Sequence, residues 1–115
     1  MLDFYPLMTN EQFQKVKSLA LSKNLKTKYT PLILSHCAIY NLRRNNLSDA
    51  LNQIERAITI NTEINPNHQE AFIDLYIKKA FILTKLRQTE NAIISVRKAQ
   101  KLRKKIFGLE RESDP

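Results

Sequence analysis

Hydrophobic residues in this chain recur at three- and four-residue intervals, the spacing that lines one face of an α-helix. Phe13, Val16, Leu19 and Ala20 share such a face, with Thr9 placed to cap it and Glu11 in the first turn, so a helix is predicted over 9–24. Thr30-Pro31 reads as a cap followed by proline at the first helical position, opening a helix to about Arg44 with Leu34, Cys37, Ala38 and Leu42 inward. Asn45-Asn46 makes the turn. The next helix runs from about Ser48 to Thr62, burying Leu51, Ile54, Ala57, Ile58 and Ile60, and Pro66 ends it. Asn67 with Glu70 three residues on has the form of a capping box, opening a helix to about Leu86 with Leu75, Tyr76, Ala80 and Leu83 inward. Gln88-Thr89 is the next turn, with Thr89 as cap and Glu90 as first-turn acid. The last helix carries Ile93, Val96, Ala99, Leu102 and Ile106, and ends at Gly108 with Arg103, Lys104 and Lys105 in its final turn. The pattern thus predicts an all-α fold of five helices, preceded by an apolar lead over 1–8 and followed by a charged tail over 109–115.

Within this pattern lies a longer one. Ala38, Ala50 and Ala57 recur 42 residues later as Ala80, Ala92 and Ala99. Their neighbours keep step, as in Leu34/Tyr76, Ile39/Phe81, Leu51/Ile93, Ile54/Val96 and Ile64/Ile106. Small residues at helical spacing let two helix axes approach more closely than leucines would. Two helix–turn–helix units follow, 30–65 and 67–108, with 9–24 as a capping helix. Consecutive helices joined by short turns are expected to run antiparallel.

This spacing resembles the tetratricopeptide repeat, over residues 31 to about 107. The chain departs from that family in having no Trp, no glycine in the middle of the first helix of a unit, and a period of 42 in place of about 34. At the level of pattern it is also similar to the repeat domains of bacterial peptide-sensing regulators, without a DNA-binding helix-turn-helix. The resemblance implies a short solenoid whose first (A) helices line a groove. Projected onto this sequence, the groove positions are Leu32, Ser35, Ile39, Leu42 and Arg43, then Asp74, Ile77, Lys78, Phe81 and Lys85. Ile39 and Phe81 would form an apolar floor, rimmed by Arg43, Lys78 and Lys85 and suited to an extended peptide bearing an acidic group. Ser35 and Ile39 stand where the family's carboxylate clamp has its Lys/Asn pair, so that mode of recognition is not expected.

Composition supports the helical reading. One glycine and four prolines in 115 residues leave little for sheet turns, and 43% hydrophobic with 26% charged residues is far from a disordered composition. No apolar run of about 18 residues is present to span a membrane, and the lead has no basic n-region. A lone cysteine, Cys37, fits a reducing interior, and a cytoplasmic location is expected.

Candidate chemistry is sparse. His36 and His68 lie 32 residues apart, too isolated for the paired ligands of a zinc site. His36 and Cys37 point about 100° apart on a helix, a poor catalytic pair, and no glycine-rich loop exists to cradle phosphate. Neither an enzyme, a cofactor nor a metal is expected. The net charge of +8 favours acidic partners. Arg97, Lys101, Lys104 and Lys105 fall on one helical face as a basic stripe, with no aromatic residue interleaved in sequence. Three readings follow. The first is a binding module for a peptide or protein partner in the groove. The second is a nucleic-acid binder using the stripe. The third is an oligomerisation unit pairing two copies through its end helices.

Overall fold

The computed structural model describes residues 27–108, together with Glu11, Gln14, Lys15 and Ser18, which are helical. Four α-helices follow one another: α1 (Thr30–Arg43), α2 (Leu47–Ile64), α3 (Gln69–Lys85) and α4 (Thr89–Phe107). No strand occurs among the described residues, and no described helix is long and apolar enough to cross a membrane. Most of the expected helix over 9–24, with its cap Thr9, lies outside the described residues.

The 42-residue period reappears in the turns. Asn45 and Arg87 both have a left-handed backbone, with φ of 65° and 64°. Around the first, the Asn45 N–H donates to the Leu42 carbonyl at 3.1 Å and the Asn46 N–H to the Asn41 carbonyl at 2.8 Å. Around the second, the Arg87 N–H donates to Thr84 at 3.0 Å and the Gln88 N–H to Leu83 at 2.9 Å. Each set is a Schellman closure, which satisfies the last carbonyls of α1 and α3. Asn46 and Gln88 then serve at once as the N-caps of α2 and α4. That double use places α2 at Leu47 and α4 at Thr89, one residue ahead of the expected Ser48 and with Thr89 inside the helix instead of capping it.

The other two starts also differ from expectation. Tyr29, not Thr30, is the N-cap of α1. Thr30 is buried, its Oγ1 accepting from the Thr27 N–H at 2.9 Å, so it fastens the lead-in strand of chain. His68, not Asn67, precedes α3, because Asn65–His68 forms a tight turn with Pro66 in its second position and a 3.0 Å bond from the His68 N–H to the Asn65 carbonyl. At the far end Gly108 caps α4 in the left-handed conformation at φ 67°, as its sequence position predicts.

α1 packs on α2, α2 on α3 and α3 on α4, while α1 also touches α3. All six register alanines are buried: Ala38, Ala50 and Ala57 fully, and Ala80, Ala92 and Ala99 nearly so. Leu34, Ile54, Ala57, Leu75 and Ile82 belong to one apolar core shared by α1, α2 and α3. Burying a side chain such as Leu34 or Ile54 stabilises by about 1.5–3 kcal/mol. A smaller cluster of Ala80, Leu83 and Ala92 joins α3 to α4, and Leu51 of α2 packs against both. Ile93 and Val96 of α4, inward in pattern, are exposed among the described residues.

Candidate binding site

The groove positions read from the sequence lie on α1 and α3, where Ser35 is buried and Leu42 packs against the core. On α3, Glu70, Asp74, Ile77, Phe81 and Lys85 recur every three or four residues and all are exposed. On α1, Leu32 and Arg43 are exposed and Ile39 is half-buried. Phe81 is 60% exposed, an unusual amount for a large aromatic side chain, so it forms an outward step on this face.

Between the N-terminal turns of the two helices is a pocket of about 300 Å³. Pro31, Leu32 and Ser35 line it from α1, and Ala71, Asp74 and Leu75 from α3, with His68 and Glu70 also contributing. Of the sequence-derived groove residues, only Leu32, Ser35 and Asp74 border this cavity. Its walls are mainly apolar and its charged groups acidic. Arg43 and Lys85 lie at the opposite, C-terminal ends of α1 and α3. The sequence signal for the pocket is Ala71, a small residue outside the alanine register, whose counterpart 42 positions earlier is Tyr29. A methyl there leaves space that a larger side chain would fill.

Lys78 does not stand on the rim as a projecting cation. Its ammonium donates to Ser35 Oγ at 2.8 Å and pairs with Asp74 Oδ2 at 2.9 Å, and its side chain is only 17% exposed. It therefore ties α3 to α1. His36 feels this contact. Burial first, and the Lys78 charge second, hold its imidazole below the ordinary pKa of 6.5, while Asp74 pulls the other way.

The basic stripe divides in space. Arg97, Lys101, Lys104 and Lys105 are all exposed on α4. Lys101 and Lys105, with Lys98 and Leu102, surround Tyr76 of α3 in a second pocket of about 290 Å³. The Lys98 ammonium sits 5.5 Å from the Tyr76 ring centroid. An aromatic ring thus stands among the lysines although none is interleaved in α4 itself. Arg97 is not among the residues lining that pocket. Among the described residues no group of three or more His, Cys, Asp or Glu is placed to hold a metal ion.

Nothing among protein-family models, curated proteins or solved structures matches the chain.

Proposed function

We propose that the chain is a non-catalytic binding module that takes a peptide or protein partner on the face shared by α1 and α3. The observation that carries this reading is the apolar pocket between these helices, continued along α3 by the exposed Ile77 and Phe81. Apolar clefts with a few placed polar groups are the usual form of a recognition site. The order of helix contacts, with each hairpin stacked on the next and the two A helices touching, accords with the tetratricopeptide resemblance and the groove it implies. Charge adds a direction. Glu70 stands at one end, with Asp74 beside it already paired to Lys78, and Arg43 and Lys85 stand at the other. A bound segment is best matched with a base over the pocket and an acid towards the C-terminal ends of α1 and α3.

The test is affinity capture from the native extract after nuclease treatment. Leu32→Ala and Phe81→Ala are expected to reduce recovery of the partner several-fold with the helical spectrum unchanged. Undiminished recovery with both variants refutes the reading.

A second reading has its own observation: Tyr76 among Lys98, Lys101 and Lys105 joins a stacking surface to positive charge, as single-stranded nucleic-acid sites do. Binding of an oligonucleotide, with a salt slope that falls by about 0.7 for each of these lysines changed to Gln, is the signature of that mode.

A further inference from the structure

The repeat allows a direct comparison of the two B helices, α2 and α4. On α2, Ile54 is fully buried and Leu51 packs on Ala80 and Leu83 of α3. At the edge of that interface, Glu55 pairs with Lys79 of α3 at 3.5 Å. On α4 the corresponding residues are Ile93, Val96 and Arg97. Ile93 is 44% and Val96 38% exposed, and no described helix lies on them. The surface that α2 uses to seat a helix is therefore present on α4, still apolar, with its edge charge reversed from Glu55 to Arg97. The whole helix follows this reversal. α2 carries Asp49, Glu55 and Glu63 against Arg56, whereas α4 carries Glu90 against Arg97, Lys98, Lys101, Arg103, Lys104 and Lys105.

From this we infer that the Ile93–Val96 face of α4 is a second docking site, apart from the α1–α3 groove, and that its occupant is an acidic amphipathic helix of a partner protein. Such a helix lays apolar residues on Ile93 and Val96 where Leu75 and Ile82 of α3 help close the core around α2. It presents a carboxylate to Arg97 where α3 presents Lys79. The same charge disfavours a second copy through this face, because two α4 helices would oppose basic surfaces. A nucleic acid would engage the cations but gain nothing from Ile93 and Val96.

The probe is a side-chain-stapled helical peptide of residues 69–85, made with its own sequence and with Lys79→Glu, titrated against the full chain. The Lys79→Glu peptide is expected to bind more tightly by about fivefold, the scale of an exposed ion pair. Arg97→Glu in the protein should reverse the preference. Ile93→Asp with Val96→Asp should weaken both peptides by more than about tenfold. Because both residues are exposed, the protein should stay folded, as an unchanged helical spectrum would verify. The inference is overturned if neither peptide binds, if the two bind alike, or if the Asp variants bind as well as the parent. It is also overturned if sedimentation shows a dimer that Val96→Asp dissociates, or if an oligonucleotide binds and Ile93→Asp leaves the peptides unaffected.

Discussion

Asn41 on α1 and Gln53 on α2 meet inside the first hairpin, where Asn41 Nδ2 donates to Gln53 Oε1 at 2.8 Å and both side chains are buried. The second hairpin solves the same position without polar pairing, with Leu83 and Ser95. Asn41→Leu alone leaves the Gln53 amide unpaired and is expected to cost about 1–3 kcal/mol. The double change Asn41→Leu/Gln53→Ser, which copies the second hairpin, should recover most of that. Urea unfolding of the two variants checks it, and equal losses would show that the pair is not coupled.

Arg87 occupies the left-handed turn position that Asn45 fills in the first hairpin. Any Cβ crowds the next carbonyl in this conformation, and asparagine offsets that with a short polar side chain able to hydrogen-bond locally, which arginine lacks. Arg87→Gly is expected to stabilise by up to about 1 kcal/mol, the relief of strain less the added freedom of the unfolded chain. Arg87→Ala should change little. A thermal melt comparing the two separates backbone strain from loss of charge.

Asn61 is buried to 1% exposure, and its Nδ2 finds no acceptor among the described residues. An unpaired buried donor costs about 1–3 kcal/mol. Asn61→Leu, close in size, is therefore expected to raise the unfolding midpoint. A lower midpoint would show that the amide is satisfied in solution.

His36 sets a pH dependence. Its folded pKa is lowered beneath 6.5 by burial and by Lys78, against the pull of Asp74. The unfolded chain then binds the proton more readily, so stability rises with pH across that interval. Its contribution is complete above 6.5 and is lost as pH falls through the lowered folded value. His36→Gln should flatten the fall in melting temperature as pH drops through and below 6.5, relative to the parent.

How far the sequence could be read depended on the kind of interaction. The six alanines and Gly108 announced the helix contacts and the last helix end, because small size and left-handed tolerance are local properties of one residue. All four helix starts lie one residue from where the local signals place them, since Thr30, Ser48, Asn67 and Thr89 look like boundaries in isolation. Turn closure around Asn45 and Arg87, and around Pro66, decides where the next helix begins. Lys78 read as a groove cation, but its role depends on Ser35, 43 residues away on another helix. Ile93 and Val96 had the pattern of core residues because pattern records which face is apolar, not whether anything lies upon it.

The pattern of helix contacts also governs how the molecule comes apart. α4 is held by α3 alone among the described helices, and the longest-range meeting of elements is that of α1 with α3. In the first hairpin, Leu34, Ala38, Ala50, Ile54 and Ala57 are wholly sealed from solvent, whereas Ala80, Leu83, Ala92 and Ala99 retain slight access. Contact is most extensive within each hairpin and smaller between the two. The α3–α4 hairpin can therefore part from α1–α2 before either hairpin opens, and amide exchange should be slowest around Ala38 and Ile54. Each helix closes onto its neighbour across short stretches of chain, so re-formation proceeds by local steps and belongs to the fast, low-contact-order regime.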